Sequence, residues 1–201
     1  MMLLAESVRA VPKYQSNKTP LQRAVQILKR HRDIMFAGDE DKPVSIIITT
    51  LAAKAYQGEG SITEALQTIL IHMDKYILNE FDPQSGKTIK KVENPVNPEE
   101  NFADKWNEVP NKRTAFMCWI QKAKKDLITD PLSCFGQDGI ANQYKQVLGK
   151  TPVERAACAI GNATRTAREN GNLYINGLTG GITTTPTEKS KPVKEHTFFG
   201  K

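Results

Sequence analysis

The densest cluster of chemically capable side chains is the run Lys29-Arg30-His31-Arg32-Asp33. Lys29 sits at the edge of an apolar stripe. There it can point into a cleft as a compact charge for phosphate oxygens, or lie on an ordinary solvated basic face. Ser45 follows Pro43 within the first turn of a very apolar segment. It can cap that helix, or offer its hydroxyl and nearby backbone N–H groups to an anion. Other constellations fall short. Nothing fits the P-loop pattern, the dinucleotide-binding glycine pattern or the G-x-S-x-G elbow. Gly177-Leu178-Thr179-Gly180-Gly181 is glycine-rich but starts no helix. Asp39 and Asp41 form Asp-x-Asp in a turn-like acidic loop, a poor place for metal-binding carboxylates. Gly60-Ser61 is followed by Asp74, but position 76 is Tyr76 and the stretch is helical in period, so no second carboxylate joins Asp74 there. The three cysteines, Cys118, Cys134 and Cys158, make no C-x-x-C pair and read as reduced, buried small hydrophobes. His31, His72 and His196 are scattered. No histidine or cysteine metal site is expected.

The elements that must position Lys29 and Ser45 are readable from caps and periodicity. Thr19-Pro20-Leu21-Gln22 is a strong helix start: a capping threonine, a proline at the first position and a glutamine that reaches back. Leu21, Val25, Leu28 and Met35, with Ala24, Ile27 and Ile34, make one stripe. Arg23, Lys29, Arg30 and Arg32 occupy the other face. Residues 43–56 are apolar nearly all round. The Ile-Ile-Ile-Thr-Thr run has strand propensity, but length and the proline start favour a central helix. Ser61-Ile62-Thr63-Glu64 is a second capping box, opening a helix to about Asn79. Asp82 to Gly86 is a turn, and residues 87–93 suit a short strand. Asn94-Pro95-Val96-Asn97-Pro98 excludes helix. A short helix is expected over 99–106, longer ones over 111–128 and 138–148, and another from Thr151 to about Glu169. Residues 170–201 read as loop or tail with one short strand at 172–176. The expected organisation is a connecting segment over 1–18, a helical lobe over 19–169 and a loop-rich tail. The fold class is mainly α, with at most a short hairpin.

With 201 residues, 39% apolar and 25% charged, the chain is long enough for a core without staples. No apolar run approaches the roughly 20 residues of a membrane-spanning helix, and no signal-peptide pattern opens the chain. A cytoplasmic protein without membrane contact is expected. The net charge is +6. Residues 1–100 hold 13 basic and 13 acidic side chains, and residues 101–201 hold 15 and 9, so the excess lies in the second half. A modest basic surface suits phosphate-bearing partners.

The strings Thr19 to Asp33 and Lys42 to Leu51, with Asn94-Pro95-Val96-Asn97-Pro98-Glu99-Glu100-Asn101-Phe102-Ala103-Asp104-Lys105-Trp106 and the ending His196-Thr197-Phe198-Phe199-Gly200, resemble the C-terminal half of the bacterial cGAS/DncV-like nucleotidyltransferases (CD-NTases). The resemblance spans roughly residues 12–200. It implies the helical lobe of a polymerase-β-like, oligoadenylate-synthase-like fold. Such enzymes join nucleoside triphosphates into cyclic oligonucleotides that signal in anti-phage defence. It also implies that a lysine on the first long helix and a serine starting the next, here Lys29 and Ser45, contact the NTP triphosphate. Mg²⁺ is implied for the whole enzyme. Its ligands, Asp-x-Asp after a Gly-Ser, are not in this chain, so a catalytic lobe upstream or in trans is the expected partner and the chain alone is expected to be inactive. Nucleic acid is not expected as a partner on this reading. The alternative is a stand-alone helical binding module for nucleic acid or an acidic protein.

Overall fold

The computed structural model describes residues 17–83, 85–134, 136–177 and 180–193. The connecting segment, apart from Asn17 and Lys18, and the His196 to Gly200 string lie outside these residues. The chain forms two compact units, Met1–Ile128 and Thr129–Lys201.

In the first unit, α1 (Pro20–Met35) begins as its sequence dictates. The Thr19 hydroxyl accepts from the Gln22 backbone N–H, and the Gln22 side chain accepts from the Thr19 N–H. α3 (Ile62–His72) opens with the same device, Ser61 and Glu64 serving each other's backbone N–H. Ser61 is thereby committed to a helix cap. Between them, α2 (Ser45–Ala55) is helical despite its β-branched run, and buries Ile47, Ile48, Leu51 and Ala52 completely or nearly so. Tertiary burial outweighs the strand propensity of Ile and Thr here.

α1 packs on α2 and α3, and α5 (Pro110–Lys124) packs on α1 and α3. Leu28, Ile69, Met73, Phe116, Trp119, Ile120 and Ala123 join the α2 residues in one core. Trp106, from α4 (Asp104–Glu108), meets Phe116 at a ring-centroid distance of 4.9 Å, and Phe116 meets Trp119 at 5.6 Å. Burying each such side chain contributes about 1.5–3 kcal/mol.

The helix expected to run to Asn79 stops at His72, and a 3₁₀ turn covers Met73–Tyr76. Leu78–Asp82 is instead β1, paired antiparallel with β2 (Lys87–Lys91), Leu78 opposite Lys91 and Asp82 opposite Lys87. The proline-rich segment that follows is held by side chains. The Asn101 Oδ1 accepts from the backbone N–H of Val92 and Ala103, each at 2.9 Å, while its Nδ2 donates to the Lys90 carbonyl. α5 ends in a π-helical turn, Lys125–Thr129, which keeps Asp126 and Leu127 buried.

In the second unit, α6 (Asp130–Leu132) is a single turn, and α7 (Gly136–Leu148) packs on α8 (Lys150–Glu169). Thr151 does not start α8. The cap position is Gly149, at φ +87°, a left-handed conformation that favours glycine. The tail holds more structure than one strand: β3 (Tyr174–Asn176) lies between β4 (Ile182–Thr183) and β5 (Ser190–Pro192), both antiparallel to it. Gly177 closes this sheet, because a Cβ there would stand 2.7 Å from the Lys189 carbonyl oxygen. Two small antiparallel sheets therefore replace the single short hairpin expected, within a mainly helical chain.

The cysteine expectation is also corrected. Cys118 and Cys158 are exposed and Cys134 is half-buried. Cys118 sits next to Trp119 in sequence but on the solvent side of α5, so adjacency to apolar residues misjudged its face.

Candidate functional site

Two polar clusters sit side by side on the C-terminal half of α1, carried by the neighbouring residues His31 and Arg32. The first is sealed. His31 is 1% exposed and Asp126 is 2% exposed. The Trp119 Nε1–H, which can only donate, points at His31 Nδ1 at 3.1 Å. Nδ1 must therefore be the acceptor, and the ring proton lies on Nε2, donated to Asp126 Oδ2 at 3.1 Å. Lys122 Nζ donates to the other carboxylate oxygen from one turn earlier on α5. Burial holds the His31 pKa below that of a free histidine, and the Asp126 contacts only partly oppose this. A second ring proton would also face the Trp119 donor. For Asp126, burial alone would raise the pKa. The hydrogen bonds from Lys122 and His31 together outweigh it and hold the carboxyl below its ordinary range.

The second cluster lies at the start of α2. Arg32, 6% exposed, was grouped with the basic solvent face by its sequence position, but its guanidinium is buried. Its Nε and Nη2 both donate to Asp33 Oδ1, at 3.1 and 2.7 Å. Its Nη1 donates to the Pro43 carbonyl at 2.9 Å and to Ser45 Oγ at 2.8 Å. Lys42 joins Asp33 from the same loop at 2.7 Å. The Lys42 bond, supported by Arg32, keeps the Asp33 carboxyl below its usual pKa.

Ser45 does not cap α2. It is the first residue of the helix. The cap position belongs to Val44, whose side chain makes no capping bond. The start of α2 therefore lacks the reciprocal bonds that close α1 and α3. Val44 and Ile46 are also about half exposed there, at 49% and 47%. Lys29 stands three residues before Arg32, one helical turn away on the same side of α1. It is half-buried, and no ion pair reaches it among the described residues. Among the described residues no hydrogen bond joins Lys29 to Arg32 or to Ser45; it is Arg32, which the sequence reading placed on the solvent face, that reaches Ser45.

A cleft of 660 Å³ opens beside the same helix start. It is lined by Lys42, Val44 and Ile46 on one side and by Phe102, Trp106 and Lys112 on another. Neither Lys29 nor Ser45 lines it. Asp39 and Asp41 are committed elsewhere. Asp39 accepts from the Asp41 backbone N–H at 2.8 Å, and Asp41 pairs with Lys112 at 3.5 Å. They do not fit a site for Mg²⁺. Among the described residues no group of three or more His, Cys, Asp or Glu side chains is placed to hold a metal ion. Among the same residues no helix is long and apolar enough to cross a membrane.

No known family profile matches the chain. Its sequence is 34% identical over 186 residues to a c-di-GMP synthase of Roseivirga ehrenbergii, an alignment that covers 92% of this chain and 48% of that protein. The chain therefore spans about half the length of the relative it matches. Its structure is similar to the CD-NTase CdnG of Bradyrhizobium diazoefficiens, solved in complex with GTP. That match has a TM-score of 0.53 at 21% identity, and covers 72% of this chain and 41% of the other. The chain is CD-NTase-like. The class to which these likenesses point is the nucleotidyltransferases, and within it the relative at 34% identity is a cyclic dinucleotide synthase.

Proposed function

We propose that this chain is the helical, nucleotide-gripping portion of a CD-NTase that makes a cyclic oligonucleotide signal for anti-phage defence in the cytoplasm. On this reading Lys29 and Ser45 hold the triphosphate of an NTP from the side opposite the Mg²⁺ ions. A triphosphate tail needs cationic and hydroxyl donors that are not already neutralised. Lys29 supplies an ammonium with no ion pair among the described residues, and Ser45 supplies a hydroxyl at an uncapped helix start, where backbone N–H groups favour negative charge. The single observation that carries the proposal is a Lys29 with no ion pair among the described residues, one turn before the arginine that holds Ser45. Mg²⁺ would supply charge neutralisation and in-line activation in the whole enzyme. Among the described residues no group of three His, Cys, Asp or Glu side chains is placed to hold it, and no chemical step is assigned to this chain alone.

Calorimetric titration of the 201-residue chain with GTP tests the reading. Wild-type binding weakened about tenfold by Lys29→Ala, with the melting temperature unchanged, supports it. Equal affinity in the wild type and Lys29→Ala, or salt-sensitive RNA binding with no NTP binding, rejects it.

A further inference from the structure

Ser45 is the residue that the triphosphate reading needs as a donor, yet a hydroxyl can equally well accept. What settles its role is the neighbour on α1. Arginine carries N–H donors and no acceptor. Arg32 Nη1 approaches Ser45 Oγ at 2.8 Å, so the serine oxygen must accept. The direction of Arg32 is itself fixed. Its Nε and Nη2 are tied to Asp33, and the other Nη1 hydrogen goes to the Pro43 carbonyl. With one lone pair of Ser45 engaged by a cation, the serine proton is the group left to meet an outside partner. No protein acceptor takes it among the described residues: the one bond of Ser45 Oγ is that from Arg32, and the Thr49 hydroxyl goes to the Ser45 carbonyl. A hydroxyl that accepts from a guanidinium is also a stronger donor, because hydrogen bonds in series polarise one another.

The geometry points to Arg32 as a positioning residue that engages one lone pair of Ser45 and leaves its hydroxyl proton to donate outward, so that the α2 start favours an anionic oxygen. Arg32 does not itself touch the ligand. Its guanidinium is buried, and four of its five N–H hydrogens go to Asp33, Pro43 and Ser45. This inference rests on the triphosphate reading and adds the residue that gives Ser45 its polarity. Recognition therefore follows the number of phosphate oxygens in reach and not the nucleobase. GTP should be held more tightly than GMP, and guanosine should not sense Ser45 at all.

The test is a double-mutant cycle on the 201-residue chain, with GTP and guanosine as probes. Ser45→Ala and Arg32→Gln should each weaken GTP binding about tenfold. The double variant should be no worse than either single one, because Ser45→Ala removes the donor that Arg32→Gln leaves unpositioned. Guanosine affinity should stay unchanged in all three. Additive losses, or equal losses for GTP and guanosine, would make Arg32 a purely structural residue and overturn the inference. If Lys29→Ala and Ser45→Ala weaken GTP binding but Arg32→Gln does not, the inference fails and the triphosphate reading survives. If neither Lys29→Ala nor Ser45→Ala affects GTP, both fail. Should Arg32→Gln not fold, NMR of the arginine side-chain N–H groups in the wild type decides. The Arg32 signals should shift on adding GTP and stay fixed in Ser45→Ala. Arg32 signals unmoved at saturating GTP would reject the coupling.

Discussion

His31 and Arg32 are adjacent in sequence, both buried and both hydrogen-bonded, yet they make opposite kinds of cluster. Around His31 the donors and acceptors interlock: Trp119 gives, His31 accepts and gives, and Asp126 accepts from two sides. Around Arg32 the same bookkeeping leaves the hydroxyl proton of Ser45 unmatched. The first arrangement fastens α1 to α5, and the second joins α1 to the start of α2 with a donor left over. A closed network lends itself to stability, and an incomplete one to binding.

The sharpest way to break the contrast is Asp126→Ala. It leaves the His31 N–H without its acceptor and removes the partner of Lys122, and should cost about 3–5 kcal/mol in urea unfolding. Trp119→Phe keeps most of the bulk but strips the N–H from His31 Nδ1. A loss of about 1–3 kcal/mol is expected by the same measurement, with the His31 pKa rising because its second nitrogen becomes free to take a proton.

Acidity separates the clusters without mutation. His31 has a folded pKa below 6.5, so the unfolded chain binds more protons in that range. Stability should be at its full value above pH 6.5 and fall as the pH drops below it. Asp126, also lowered, should add a further loss only as the pH falls below about 3.8. Melting temperatures from pH 8 to 5 should show the first decline, and His31→Gln should flatten it. The smallest stability effect is expected at Ser45→Ala, about 0.5–1.5 kcal/mol, although its effect on GTP affinity is the larger. A Ser45 variant that unfolded the protein, or an Asp126 variant that spared it, would dissolve the distinction between the two clusters.

Much of this arrangement is legible in the residues, and the exceptions have physical causes. Both capping boxes announce themselves, since Thr19 with Gln22 and Ser61 with Glu64 satisfy one another locally. The helical state of α2 follows from its length and the proline before it. Ser45 at the head of that helix is visible, but its role as a first-turn residue and not a cap is not, because the choice depends on what Arg32 does from another helix. Arg32 itself reads as solvent-facing until α2 is folded against it. His31 gives no hint of Trp119 or Asp126, which lie 88 and 95 residues away. Of the strands, β2 and β3 are legible, whereas β4 and β5, of two and three residues, are too short to show a period, and β1 was absorbed into the helical pattern that precedes it. The π-helical turn leaves no composition signal, since Lys125 to Thr129 is an ordinary helical string.

The enclosed imidazole has one more consequence. Its single N–H is shut away from water and bound to a carboxylate, so it should exchange slowly and remain visible by proton NMR far downfield of the amide envelope. Its disappearance on warming would time the separation of α1 from α5 with no label attached, and would show whether that joint loosens before the whole molecule melts.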